Sequence, residues 1–330
     1  MLGYIIRRLV GAILVIFVTS VAVFTLFTYG PKDPSQAICP APRCTAQTQA
    51  AIKKSLGLDQ PLPTQYMQFA SGVFTGRSID RGAARIPCSA PCLGYSFIIN
   101  QPVWQYLIAR FPATVSIAVG GSIIYLCVGV LIGVLAARRR GTLFDRASVG
   151  ATLTVSSIPY YVVALLAWLL LVNSWGIFPN SAYNPILQNP IKWASGLILV
   201  WLVLGLTNST SYARYSRGAM VEALTEDFVR TAKAKGLRER RVVFKHALRA
   251  ALAPVITIFG LDFATLLAGT VFTEQIFNIP GIGLAGLQAI YRGDLPIVLG
   301  TVLIGAVAIV LANLVVDVGY SLIDPRVRLS

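Results

Sequence analysis

Six long apolar runs alternate with polar segments along this 330-residue chain, at about 9–29, 112–137, 148–175, 193–213, 252–276 and 297–322. Each is about 20 residues or longer, which is what an α-helix needs to cross a hydrocarbon layer of roughly 30 Å. Backbone groups in such a layer have no water to bond, so helix is predicted for all six runs. Residues 31–104, between the first two runs, are too polar to span and too long for a turn. Prolines 31, 34, 40, 42, 61, 63, 87 and 91 cut that stretch into short pieces. Thr45–Leu56, opened by Thr45 as N-cap, and Gln65–Val73 are predicted as surface helices within it. The chain thus reads as a transmembrane helix in 1–30, a loop subdomain in 31–104 and a five-helix core in 105–330. A basic start followed by an apolar run also has the look of a signal peptide. The first run is long enough to span and no small-residue cleavage pattern follows it, so a retained helix is predicted.

Charge is concentrated where the apolar runs stop. Between Arg214 and Arg249 stand ten Lys/Arg and four Asp/Glu, flanked by apolar sequence on both sides. Residues 222–254 favour helix, with Gly only at 236 and Pro only at 254. Glu226 and Asp227 suit a helix N-terminus, Lys233 and Lys235 suit a C-terminus, and Gly236 supplies the left-handed residue that closes a helix. A short helix from about Thr225 to Lys235 is predicted, then a break, then a second helix from about Arg238 into the fifth run. Phe228, Ala232 and Lys235 recur at helical spacing along it. A plain basic loop lying on the membrane surface is the other reading that composition allows. Six spans place Arg7, Arg8, Arg138–Arg140, Arg146, the 214–249 segment, Arg326 and Arg328 on one side, which is 18 of the 28 Lys/Arg. The opposite loops, 176–192 and 277–296, hold only Lys192 and Arg292. The positive-inside rule then puts both termini and the 214–250 loop in the cytoplasm and 31–104 outside.

A net charge of +15 would point to nucleic acid in a soluble protein, but here it lies in short loops between spans, where it sets topology. With 55% hydrophobic and 12% charged residues and a mean hydropathy of +0.70, the chain is expected to be a multi-pass protein of the cell membrane in contact with lipid. Cys39, Cys44, Cys88 and Cys92 share the polar stretch. Their C-x4-C and C-x3-C spacings fit zinc loosely, with no His nearby, so disulfides are expected, either paired locally or crossed. Cys127 reads as a buried packing thiol. Gly129 and Gly133 form a G-x-x-x-G that permits close helix approach. Asn208 and Asn313 are placed to hydrogen-bond across helices. Asp262, inside the fifth run, is a candidate polar residue of a translocation path, and Glu274 stands at the far end of that run. A carboxylate there is costly unless it faces water or a partner. No catalytic cluster accompanies the only His, His246, and no metal or cofactor is expected. The glycine-rich phosphate loop is missing too, so any ATP hydrolysis belongs to another subunit.

VRTAKAKGL (229–237) followed by HALRAALAP (246–254) resembles the cytoplasmic docking loop of ABC-importer permeases, in its oligopeptide/dipeptide form. GLDQPLPTQY (57–66), VFTEQIFNIPGIG (271–283) and DPRVR (324–328) extend the likeness over nearly the whole chain. Arg230-Thr231-Ala232 stands where the general pattern has Glu-Ala-Ala, and Arg249 where many families have Pro, departures that fit the peptide branch. The resemblance implies an all-α polytopic membrane protein of six transmembrane helices, a type I ABC-importer permease fold with a cytoplasmic coupling helix. It makes Phe228, Arg230, Thr231, Ala232, Lys233, Ala234, Lys235 and Gly236 the expected contact with an ATPase, with Phe228, Ala232 and Lys235 as the docking face and Arg230 and Lys233 for charged contacts. It also places Glu274 near the mouth of the translocation path. The partners it implies are a second homologous permease, two ATP-binding subunits and an extracytoplasmic solute-binding protein, with a peptide as substrate. A secondary transporter or channel is the alternative, and would require internal repeats with matching broken helices.

Overall fold

Helix dominates the structure, a computed structural model that describes residues 2–28, 59–80 and 85–323, with positions 45, 47, 50 and 53 between them. In chain order come α1 (Leu2–Thr28), α2 (Leu62–Thr75), β1 (Arg77–Asp80), β2 (Arg85–Cys88), β3 (Tyr95–Ser96), β4 (Gln101–Pro102) and α3 (Val103–Ile108). Next are α4 (Phe111–Arg138), α5 (Leu143–Ser156) and α6 (Tyr160–Ala167), the last continued by a π-helical stretch, Trp168–Ser174. After α7 (Pro190–Thr225) and α8 (Asp227–Ala234), α9 (Glu239–Arg241) runs through π-helical Val242–Ala247 into α10 (Leu248–Leu267). The chain closes with α11 (Val271–Ile276), α12 (Ile282–Arg292) and α13 (Leu295–Ile323). Of the two surface helices expected in 31–104, Gln65–Val73 lies within α2, whereas most of 45–56 falls outside the described residues.

Among the described residues, five helical stretches are long and apolar enough to cross a membrane: Ile6–Leu26, Val103–Arg138, Pro190–Thr225, Glu239–Leu267 and Leu295–Val315. A sixth exists if Leu143–Ser156 and Tyr160–Ser174 are one broken span. That pair corrects the straight helix expected over 148–175, because the two parts meet at 88°. Pro159 lacks the N–H that would continue the ladder, and it disfavours helical backbone at Ile158. The run at 252–276 is likewise divided. Helix α10 stops at Leu267, Gly269 takes φ +131°, and α11 starts after Thr270. The opposite correction applies at 193–213, where Asn189 accepts from the Lys192 N–H and Pro190 starts a helix of 36 residues. At 1.5 Å per residue α7 is about 54 Å long, so about 24 Å of it outruns a hydrocarbon layer of roughly 30 Å.

Two compact units are interleaved along the sequence. One comprises Leu2–Thr114 and Pro280–Val310. Its core joins Leu93, Val103 and Leu107 to Ala285, Ala289 and Ile297. Helix α1 touches this core along one strip, where Ser20 and Tyr66 share a 2.7 Å hydrogen bond and Phe17 and Phe24 meet the Tyr66 ring edge-on. Elsewhere α1 exposes Val10, Ile13 and Leu14, a surface suited to lipid. Asp294, buried before α13, accepts a hydrogen bond from Ser96. Burial pushes its carboxyl above the ordinary range, against the pull of the Ser96 hydroxyl and the Ile297 N–H.

The other unit holds Val115–Ile279 and the chain from Leu311. Its centre is the contact of α4 with α7. A Cβ on Gly129 would lie 2.7 Å from the Ser209 carbonyl oxygen, and one on Gly133 would lie 2.5 Å from that of Ala213. The two backbones therefore touch directly, which only glycine permits. Asn208, expected to bridge helices, instead donates to the Leu204 carbonyl of its own helix. This packing makes a contrast testable. Gly133→Leu should lower the thermal midpoint of the detergent-purified protein, because overpacking costs about 1–3 kcal/mol. Gly218→Ala, on the same α7 with nothing within 4 Å of its added methyl, should hold or raise the midpoint.

Candidate functional site

The basic loop forms as its sequence dictates, with a sharper division of faces. Helix α7 ends at Thr225 and Glu226 turns extended, with ψ 149°, before α8 begins. At the other end Gly236 adopts φ +72°. Its N–H bonds the Lys233 carbonyl at 2.9 Å, and the Leu237 N–H bonds the Ala232 carbonyl at 3.3 Å. This paired closure is the Schellman arrangement, and Leu237 packs on the cluster that contains Ala232, as that arrangement favours.

Val229 and Ala232 point inward, packed with Val134, Ala137, Met220, Ala223, Val242 and Val243. Ala232 is therefore on the inner side of α8 and not on the face expected to meet a partner. Phe228, Arg230, Thr231, Lys233, Ala234, Lys235 and Gly236 are exposed. Thr231, spaced three residues from Phe228 and four from Lys235, takes the position assigned to Ala232. The Arg230–Asp227 ion pair, 3.4 Å long and open to solvent, adds little to stability. What the helix presents is an exposed aromatic among cations, on a short stiff rod whose inner side is fixed to α4 and α7.

A second polar group lies in the apolar part of the same unit. Tyr212 on α7 donates to Asp262 Oδ2 at 2.8 Å, and its ring stacks on Tyr125 of α4 with centroids 4.5 Å apart. Asp262 is otherwise exposed on α10. Because α10 stops at Leu267, Asp262 lies only about 7.5 Å of helical rise from the break, not at the middle of a span. Glu274 is elsewhere and wholly enclosed, at 0% exposure, with Thr270 Oγ1 donating to its Oε1 at 3.3 Å. Beside it Thr273 and Tyr160 share a 2.8 Å hydrogen bond that joins α11 to α6. The enclosed Glu274 holds the turn between α10 and α11 and lines no open surface in this conformation. Tyr212, the partner that orients Asp262, carries no sequence signal, since 50 residues separate the two.

Of the four loop cysteines, Cys88 and Cys92 form a disulfide, whereas Cys39 and Cys44 lie outside the described residues. Cys127 is a free thiol, exposed on α4 rather than buried. Among the described residues, no three His, Cys, Asp or Glu gather to hold a metal.

The chain matches two family models. Binding-protein-dependent transport system inner membrane component covers residues 129–329, and the N-terminal part of the same system's membrane component covers residues 1–118. It is 37% identical to a probable peptide ABC transporter permease, y4tP, of Sinorhizobium fredii, over 98% of this chain and 99% of that one. The dipeptide transport system permease DppB of Escherichia coli is 35% identical, over 99% of each. Among solved structures, the inward-facing MetNI methionine ABC transporter shares the fold, with a TM-score of 0.52 and 21% identity over 67% of this chain and 97% of that chain.

The disulfide leads to a labelling experiment. Cys88 and Cys92 should resist a maleimide until a reductant is added, while Cys127 in detergent should react at once. Cys88→Ala/Cys92→Ala should destabilise the protein by about 2 kcal/mol, the chain-entropy value for so short a loop.

Proposed function

Since this chain belongs to the family of binding-protein-dependent transport system inner-membrane components, we propose that it is the permease subunit of an ATP-driven peptide importer. Permeases of this family are non-catalytic membrane subunits that work with ATPases and a substrate-binding protein. The observation that carries the coupling reading is α8, a short basic helix closed by a left-handed glycine, with one face exposed and the other packed on α4 and α7. A force applied to such an element moves the membrane helices instead of dissipating in a loop. Peptide as substrate rests on the relatives named for peptide and dipeptide transport.

In this reading a second, homologous permease completes the path. Two ATP-binding subunits are needed, because one chain offers one docking loop. The charge asymmetry favours cytoplasmic termini and a cytoplasmic 214–250 loop, with 31–104 facing the solute-binding protein outside. Asp262 belongs to the path. One of its oxygens is held by Tyr212, and its exposed carboxylate is placed to accept from the ammonium and amide N–H groups of a passing peptide.

Two substitutions test these assignments. Gly236 has nothing within 4 Å of an added Cβ, so a change there acts through the backbone alone. Gly236→Val should cost about 1–2 kcal/mol in the left-handed conformation and re-aim α8. The protein should insert normally, while uptake falls about fivefold to thirtyfold, the factor such an energy represents, and ATPase activity loses its stimulation by peptide-loaded binding protein. Near-parental uptake would remove the coupling role from α8. Asp262→Asn keeps the shape and loses the charge. Uptake by the assembled complex should fall about tenfold, as expected for one lost charge-assisted hydrogen bond. Parental uptake, or failure to assemble, would take Asp262 out of the path.

A further inference from the structure

Helix α5 is attached to the rest of its unit in an unusual way. Along its 14 residues only Asp145 and Thr152 are buried, and the Thr152 hydroxyl is spent on the Val149 carbonyl of its own helix. No apolar side chain of α5 is fully buried. Helix α5 lies along α7, and its one buried charge, Asp145, is bonded there. Arg217 Nε donates to Asp145 Oδ1 at 2.6 Å and Nη2 to Oδ2 at 2.9 Å, while the Gly141 N–H adds a third bond to Oδ2 at 3.0 Å. The carboxylate is nearly enclosed, at 6% exposure, and the guanidinium is largely covered, at 29%. The other ion pairs between described side chains, Arg138–Glu239 and Arg230–Asp227, lie open to solvent.

Stability does not explain such a pair, because desolvating two charges offsets most of their attraction. Direction does. A two-pronged guanidinium–carboxylate contact fixes angle as well as distance. Arg217 lies eight residues before the end of α7, next to Ser216, whose hydroxyl packs against the Gly129 carbonyl of α4. The same end of α7 contributes Met220 and Ala223 to the inner face of α8. Asp145 is in the first turn of α5, whose far end bends at 88° into α6. Tyr160 at the start of α6 then bonds Thr273 on α11, the residue before enclosed Glu274.

We propose that the Arg217–Asp145 pair is the positioning link through which movement of α8 and α7 is passed to the bent α5–α6 pair, and from there to the break between α10 and α11. The link rests on the coupling role of α8. The pair fixes the angle at which α5 follows α7, and the bend converts that motion into a shift of α6 against α11. With no large apolar side chain of α5 buried to lock the two helices, the two-pronged contact is what sets their angle.

The test uses the complete transporter in liposomes, with its ATPases and peptide-loaded binding protein, and measures peptide taken up per ATP hydrolysed. Asp145→Asn and Arg217→Gln should each retain the ATPases at parental stoichiometry but lower this ratio at least about fivefold, within the range of a typical coupling free energy. Arg217→Lys, which keeps the charge without the fork, should fall in between. The double variant Asp145→Asn/Arg217→Gln leaves no unpaired charge, so its thermal midpoint should recover while its coupling ratio stays low. A double variant that regains both would show the pair to be merely structural and overturn the proposal. So would parental coupling in the single variants alongside the expected loss in Gly236→Val. Parental coupling in Gly236→Val itself would instead remove the α8 reading on which the link rests.

Discussion

Helices α4 and α7 meet backbone to backbone, and the arrangement of the basic end depends on that contact. In a membrane there is little hydrophobic gain from pushing helices together, so close approach has to come from small residues and direct packing. Gly129 and Gly133 remove the side chains that would otherwise hold the helices apart, and Ser209, Ala213 and Ser216 fill the space from α7. Ser216 reaches the Gly129 carbonyl across the interface. Tyr125 and Tyr212 stack toward the other end of the same pair. With α4 and α7 fixed in this way, the C-terminal part of α7 becomes a rigid extension that carries α8.

That extension explains the two-sided character of the basic loop. A basic segment at a membrane surface needs no buried residues, yet Val229 and Ala232 are packed against α4, α7 and the stretch leading into α10. The Schellman closure at Gly236 reverses the chain within two residues and returns it to the same cluster through Leu237, Val242 and Val243. Charge faces outward and aliphatic packing faces inward, so the loop is solvated on one side and mechanically continuous with the spans on the other.

Breaks in two of the expected spans belong to the same design. The bend at Pro159 and the interruption after Leu267 place short segments, α6 and α11, beside one another, joined by Tyr160 and Thr273. Interrupted helices at membrane depth are tolerated where side chains and neighbouring helices satisfy the freed backbone groups. Here the Thr270 carbonyl accepts from the Glu274 N–H and the Glu274 carbonyl from the Ile279 N–H, so the turn is internally bonded around an enclosed carboxyl group.

Local chemistry wrote much of this into the chain. Apolar length located the spans, because a hydrocarbon layer demands about twenty residues of helix wherever it is crossed. The glycine after a run of helix-forming, C-terminally basic residues marked the closure at Gly236, a preference that depends on one residue's backbone and no distant partner. The G-x-x-x-G of Gly129 and Gly133 announced a close approach without saying to what. Which face of α8 turns inward, and hence the exchange of Thr231 for Ala232, was decided by residues from 134 to 251 converging on it. The partnering of Tyr212 with Asp262, and of Arg217 with Asp145 across 72 residues, arose the same way. Spacing along a chain records which residues can share a helix face. Which helix that face will meet is set only when the spans pack, and so the pairs that orient charge in this protein belong to the tertiary structure alone.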